Sequence, residues 1–139
     1  MAKDIWGPAG WKFIHYVTLA YPDNPTASEQ RDYKSFFQAL GKVIPCPTCQ
    51  VNYQEHMREL PLNDVSLASK DSMIEWGVAM HNAANKATGK RTWTVEEAMN
   101  ELAKEYREWT VDAGWTGREW AVVLIGLGII VWSIGGIKG

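Results

Sequence analysis

The sequence is poor in cysteine, with only Cys46 and Cys49 among its 139 residues. Two cysteines cannot form the multi-bridge framework of a small secreted scaffold, and the start MAKDIWGPAG lacks the apolar run of a signal peptide. A large excess of one charge is also absent, because 14 basic and 16 acidic residues are spread along the chain, with a net charge of -2 and no basic block. We therefore expect no nucleic-acid partner and one compact domain.

Patterns of alternating apolar and polar residues, which would indicate strands, are also missing from the sequence. Helical periodicity recurs instead, and Thr26 with Glu29 and Thr94 with Glu97 both have the spacing of a capping box. Prolines and other turn residues separate the periodic runs. We predict an all-α helical bundle, with helices at about residues 6–21, 27–44, 47–60, 73–84 and 95–109.

The C-terminal end carries the long hydrophobic run of the chain. From Trp120 to Ile137 it contains no charged residue, and as a helix it would cover about 27 Å of a hydrocarbon core about 30 Å thick. A buried core helix is the alternative, but tryptophans at Trp115, Trp120 and Trp132 are typical of interfacial anchors. We predict a domain at residues 1–113, a linker at 114–119 and a transmembrane anchor at 120–137.

Basic residues favour one orientation of this anchor. Lys104, Arg107 and Arg118 precede the hydrophobic run, while only Lys138 follows it. The positive-inside bias therefore predicts that the main domain faces the cytoplasm, where a reducing environment surrounds the cysteines.

The two cysteines lie in the stretch PCPTC, with Pro45 and Pro47 on either side of the first. Pro45 ends the preceding helix and Pro47 suits the first turn of the next, which places Cys46 at a helix N-terminus and Cys49 one turn inward. Unpaired backbone N–H groups and the helix dipole favour a thiolate there. The pattern indicates a redox-active pair in which Cys46 is the more accessible member.

Other uses of a lone CxxC pair remain open. It could be half of a zinc site completed by histidine, for which His15, His56 and His81 offer nitrogen ligands, or it could be two inert buried thiols. The histidines lack a paired ligand spacing, which makes zinc less favoured than redox use. A thioredoxin-like fold is disfavoured because it needs strands.

Three stretches together resemble the ERV/ALR family of flavin-linked sulfhydryl oxidases. WGPAGWKFIHYVTLAYPD resembles the family's opening helix, PCPTC its active-site cysteine pair, and WGVAMHNAANKATGKRTW its flavin-binding helix with the pattern HNxxNxxxGK. The resemblance covers about residues 6 to 95 in the family's order. The matching positions are Gly7, Trp11, His15, Cys46, Cys49, Trp76, His81, Asn82, Asn85, Lys86, Gly89 and Lys90.

The resemblance implies a four-helix bundle with a short fifth helix that binds FAD noncovalently, with the isoalloxazine ring beside Cys49. It also implies oxidation of protein dithiols by Cys46 and Cys49, with electrons passing to oxygen to give hydrogen peroxide, and a homodimer formed through the first helices. By the same resemblance, Trp11, His15 and Trp76 would wall the cofactor. His81, Asn82 and Asn85 would meet its adenine and ribose, Lys86 and Lys90 its pyrophosphate, and Gly7 would belong to the same site.

The sequence departs from the family in two ways. It lacks a second cysteine pair that would shuttle electrons, and Val78 stands where relatives may carry cysteine. We therefore expect dithiol protein substrates or a thioredoxin-like shuttle protein as partners. The predicted anchor and cytoplasmic orientation resemble the setting of viral members, on a virion or viral-factory membrane. The rival hypothesis is a tail-anchored helical adaptor with structural or metal-binding cysteines.

Overall fold

The computed structural model describes the backbone of residues 3–112 and the side chains of residues 4–105. All regular structure in this range is helical, which confirms the all-α prediction. The predicted linker and anchor lie outside the described residues. Among the helices within this range, none is both long enough and apolar enough to cross a membrane. The five helices are α1 (Lys3–Leu19), α2 (Ala27–Val43), α3 (Pro47–Glu59), α4 (Lys70–Ala87) and α5 (Val95–Asp112).

Both predicted capping boxes are confirmed. The Thr26 hydroxyl accepts a hydrogen bond from the Glu29 backbone N–H, while the Glu29 carboxylate accepts from the Thr26 N–H at 2.7 Å. The same exchange starts α5, where the Thr94 N–H donates to Glu97 at 2.9 Å and the Glu97 N–H donates to the Thr94 hydroxyl at 3.1 Å. Reciprocal bonds of this kind satisfy N–H groups that a helix start leaves unpaired.

The prediction of a short fifth helix is wrong. Helix α5 has 18 residues, the same length as α4. The reason is local, since no proline or glycine interrupts the sequence from Val95 to Asp112. Helix α4 also begins earlier than predicted, because the Ser69 hydroxyl accepts from the Ser72 N–H and caps the helix ahead of its first apolar residue.

Helix packing brings α1 against α4, α2 against α3, and α3 against α4. Two glycines allow close approach at these contacts. A Cβ on Gly77 of α4 would lie 2.9 Å from the Thr18 methyl of α1, and a Cβ on Gly41 of α2 would lie 2.5 Å from the Tyr53 ring of α3. The buried core consists of Ile14, Tyr21, Phe37, Ile44, Tyr53, Leu62, Leu67, Met73, Trp76 and Met80.

The chain divides into two units, Met1–Asn100 and Glu101–Gly139. The first unit contains α1 to α4 and the start of α5. The second unit begins within α5. Every side chain of the candidate site described below lies in the first unit.

Candidate functional site

The start of α3 holds the cysteine pair. Cys46 is the N-cap residue, with extended backbone (φ -157°, ψ 107°), and Pro47 follows it in the first turn. A disulfide joins Cys46 to Cys49, with their Cα atoms 5.1 Å apart, and the Cys49 N–H donates to Cys46 Sγ at 3.2 Å. The same N–H would stabilise a thiolate on Cys46 after reduction, because it belongs to the donor end of the helix.

The surroundings of the two sulfurs differ. Both cysteines are half-buried, but Cys49 packs against the hydrophobic core. Exposed apolar side chains flank the pair, with Val43 at the end of α2 71% exposed and Val51 in α3 63% exposed. The disulfide therefore joins an accessible apolar surface to the bundle interior.

The disulfide also bears on metal binding. Sulfurs joined in a disulfide do not offer thiolate ligands, and no cluster among the described residues could hold a metal.

A second group of side chains forms where α1 packs on α4. The Trp11 and His81 rings are stacked, with centroids 4.3 Å apart and an interplanar angle of 7°. His15, one turn beyond Trp11, approaches the same ring, with its Nε2 3.0 Å from His81 Nδ1. The contact of Gly77 with Thr18 sets the helix separation that permits this arrangement. The structure thus brings Trp11 and His15 of the first stretch together with His81 of the flavin-helix stretch.

Both histidines of this group are neutral at pH 7. Burial lowers the pKa of His15 from 6.5 to about 4. Burial also lowers the pKa of His81 to about 4, with smaller contributions from His15 and Lys90. His15 Nδ1 is enclosed and has no hydrogen-bond partner in the described part of the chain. A flat aromatic stack beside an unpaired imidazole nitrogen is suited to binding a heteroaromatic ligand.

The asparagines of α4 have different surroundings. Asn82 donates through Nδ2 to the Trp93 carbonyl at 2.7 Å, and its Oδ1 accepts from the Trp93 N–H at 2.9 Å. It therefore fixes the segment between α4 and α5, a role that no local sequence pattern indicates. Asn85 is buried at 6% exposure, and its carbonyl accepts from the Lys90 N–H at 2.8 Å. Their predicted contacts with a cofactor stay predictions.

The remaining residues predicted for the cofactor site are spread along α1 and α4. Lys86 and Lys90 are exposed near the end of α4. Trp76 is buried, packs on Phe37 with ring centroids 4.7 Å apart, and donates through Nε1 to the Leu60 carbonyl at 2.9 Å. A Cβ on Gly7 would meet no atom within 4 Å. These contacts give Trp76 a structural role and leave open space beside Gly7.

A pocket of about 430 Å³ opens between the end of α3 and the second half of α4. Its walls combine apolar side chains with one acidic, one basic and one amide side chain. Its lining residues are Glu59, Leu60, Ala79, Asn82, Ala83 and Lys86. A polar ligand of moderate size would find donors and acceptors there.

Two further polar residues share a face of α3 with Cys49, and the sequence had indicated only one of them, His56, as a possible zinc ligand. Tyr53 and His56 follow Cys49 at the i+4 and i+7 positions of α3, which places all three on one helix face. The Tyr53 hydroxyl and both ring nitrogens of His56 are enclosed and lack hydrogen-bond partners among the described residues. The spacing from Cys49 was the available signal.

Comparison with known proteins gives consistent matches. A family model described as the Erv1/Alr family matches residues 8–107. A protein of Acanthamoeba polyphaga mimivirus named "Probable FAD-linked sulfhydryl oxidase" is 38% identical over 104 residues, which cover 75% of this chain and 73% of that relative. An FAD-linked sulfhydryl oxidase of Arabidopsis thaliana is 28% identical over 96 residues, 69% of this chain and 49% of its own length.

Solved structures agree with the fold. The crystal structure of the FAD-binding domain of Erv1 from Saccharomyces cerevisiae matches with a TM-score of 0.64 and 24% identity. The match covers 84% of this chain and 99% of the yeast domain. At this identity the likeness concerns the fold, and it agrees with the helical arrangement found here.

Proposed function

This chain belongs to the Erv1/Alr family, and we infer from that membership that it is an FAD-linked sulfhydryl oxidase. The observation that carries the inference is the Cys46–Cys49 disulfide at the start of α3, within the part of the chain that matches the family. The enzyme oxidises thiol pairs of protein substrates to disulfides and passes the electrons through FAD to oxygen.

The residues present fit FAD. The stacked Trp11 and His81 rings offer an aromatic surface, and the unpaired His15 nitrogen offers a hydrogen-bonding atom beside it. Lys86 and Lys90 supply exposed cations that suit a pyrophosphate. What bound FAD supplies is a two-electron acceptor that restores the cysteine disulfide and delivers the electrons to O₂, giving hydrogen peroxide.

Thiol–disulfide exchange at α3 begins with a substrate thiolate. It attacks Cys46 Sγ, so that a mixed disulfide forms, the Cys46–Cys49 bond breaks, and Cys49 leaves as a thiolate. The second substrate thiolate then attacks the substrate sulfur of the mixed disulfide. This step releases the oxidised substrate and leaves Cys46 as a thiolate that the Cys49 N–H stabilises. The cysteine pair now holds the two electrons that the substrate has lost.

The surface around the disulfide suits a protein substrate. Val43 and Val51 are exposed on either side of the pair, and Lys42 is the one charged residue from 42 to 54. An apolar segment that carries cysteine could pack there while its thiol reaches Cys46. We propose a dithiol protein, or a thioredoxin-like shuttle protein, as the direct electron donor.

The outer face of α1 supports a homodimer. Ile5 and Phe13 are 75% and 54% exposed, and Tyr16 is 42% exposed on the same helix face. Phe13 also contacts Phe36 of α2 edge to face, with ring centroids 6.1 Å apart, so that the apolar surface includes α2. We propose that two copies of the chain associate through this surface.

Membrane attachment and viral origin are further proposals. The hydrophobic run at 120–137 supports a C-terminal anchor, and the basic residues before it support a cytoplasmic orientation. The 38% identity to a mimivirus protein supports a viral member of the family. These features suggest a virion or viral-factory membrane, with residues 1–113 as the oxidase domain and 114–119 as the linker.

The test of the function is direct. The purified full chain is expected to show the visible absorbance of bound flavin and to consume oxygen when it is given a dithiol. Cys46→Ser is expected to abolish turnover and retain the flavin. A folded, colourless protein that does not take up added FAD would contradict the proposed function.

A further inference from the structure

The inner face of α3 carries polar groups that have no hydrogen-bond partner among the side chains of residues 4–105 or the described backbone. Cys49, Tyr53 and His56 form a row along this face, and Tyr53 is only 7% exposed. Its hydroxyl is enclosed and has no hydrogen-bond partner in the described range. One turn further on, His56 has both ring nitrogens enclosed and unpartnered, although its Nδ1 is 4.0 Å from the Glu59 carboxylate. Unpaired buried groups cost folding free energy, so such a cluster needs an explanation.

The position of the Tyr53 ring is fixed by its neighbours. A Cβ on Gly41 would lie 2.5 Å from Tyr53 Cδ1 and 2.9 Å from Cε1, so the ring lies directly against the α2 backbone. Phe37 and Ile44 belong to the same buried core cluster. The ring therefore cannot turn toward α2 to bring its hydroxyl to water, and burial raises the pKa of that hydroxyl. It remains a neutral donor inside the bundle.

The separation from Cys49 identifies the ligand that this donor can reach. Side chains four residues apart on a helix have Cβ atoms about 5–6 Å apart. A flat ring bound with its edge at Cys49 Sγ would be within reach of the neighbouring turn of α3, where Tyr53 lies. An isoalloxazine ring has nitrogen and oxygen acceptors along its edge, which an O–H group can donate to.

We propose that the Tyr53 hydroxyl donates a hydrogen bond to the isoalloxazine ring of FAD, and thereby extends the flavin site one helical turn along α3 from Cys49. This inference rests on the proposed function, because it requires FAD. Tyr53 is a binding residue in this scheme and takes no part in thiol exchange.

The test compares Tyr53, whose proposed hydrogen-bond partner is FAD, with Tyr21, whose hydrogen-bond partner lies within the protein. Tyr21 is fully buried, at 0% exposure, and its hydroxyl donates to the Leu67 carbonyl at 2.9 Å. Tyr53→Phe and Tyr21→Phe remove the same atom from similarly buried rings. The full chain is stripped of FAD and titrated with FAD, and the thermal midpoint is recorded at each free concentration.

Tyr53→Phe is expected to weaken FAD binding about two- to tenfold, the loss of one hydrogen bond, while the midpoint without FAD stays the same or rises. The flavin absorbance bands are expected to shift in this variant. Tyr21→Phe is expected to lower the midpoint without FAD and to leave the FAD dissociation constant and the bands unchanged.

An unchanged dissociation constant in Tyr53→Phe would overturn the inference, whatever happens to the stability. A fall in FAD-free stability with unchanged affinity would show that the hydroxyl has a partner inside the protein or in bound water. Failure of the wild-type chain to bind FAD would contradict the proposed function as well. Binding by the wild type with no effect of Tyr53→Phe would contradict this inference alone.

Discussion

Acid should weaken the folded state through His15 and His81. Burial lowers the pKa of each from 6.5 to about 4, and the two rings lie within hydrogen-bond distance of each other. Below pH 6.5 the unfolded chain binds protons at these positions that the folded chain does not bind. The stability that they contribute is therefore complete above pH 6.5 and is lost as the pH falls toward 4.

The loss follows from the difference between folded and unfolded pKa values. Between pH 7 and pH 5, one buried histidine with these values removes about 2 kcal/mol. His81 is partly exposed, so solvent screening makes its share smaller, and the pair removes about 2–4 kcal/mol. Since small domains are stable by about 5–15 kcal/mol in total, the change is a large fraction of the whole. Protonating both rings is the most costly step, because it places two cations 3.0 Å apart in a buried contact.

Urea denaturation of the full chain, at intervals from pH 7 to pH 5 and at one fixed FAD concentration, measures this loss. His81→Gln is expected to reduce the slope of stability against pH. Glu29→Gln is the control, because hydrogen bonds from Thr26 lower the pKa of Glu29 and place its titration below this window. Stability that stays constant from pH 7 to pH 5, or an undiminished slope in His81→Gln, would refute the reasoning.

Three further predictions follow from other contacts. Cys49→Ser should retain bound flavin by absorbance and lose oxygen consumption with a dithiol, and residual turnover at the wild-type rate would contradict the exchange scheme. Gly77→Ala places a Cβ 2.9 Å from the Thr18 methyl and should lower the free energy of unfolding by about 1–3 kcal/mol in urea denaturation. Adding Thr18→Ser removes that methyl and should restore part of the lost stability. A double variant with no restored stability would assign the loss to another contact. Phe13→Lys should convert a dimer to a monomer in analytical ultracentrifugation, and an unchanged mass would exclude this surface of α1 as the interface.

Local patterns predicted most of the fold. The capping boxes at Thr26 and Thr94 are present because they depend on residues only three positions apart. The predicted α5 was too short. Apolar periodicity fades toward the end of this helix, and no proline or glycine in the sequence marks the point where it ends. The membrane anchor is a prediction about residues that the structure does not describe.

The candidate site was predicted less completely, because it depends on contacts between distant residues. The spacing of Trp11 and His15 placed them on one face of α1, but the stacking of Trp11 on His81 depends on how α1 packs against α4. Asn82 and Asn85 of α4 were expected to contact the adenine and ribose of the cofactor, and for Asn82 the structure shows a partner within the chain. Its partner is the backbone of Trp93, which no local pattern could identify.

Helix α3 links the two halves of the proposed chemistry. Its N-cap residue, Cys46, meets the exposed apolar surface where a substrate can approach, and its inward face carries Cys49 against the core. A disulfide between these positions therefore joins two environments without any movement of the backbone. If Tyr53 holds the flavin on the same face, one rigid helix sets both the site of thiol attack and the site of electron acceptance. The distance between the two reactions is then fixed by helix geometry rather than by loop motion, which is what efficient transfer from sulfur to flavin requires.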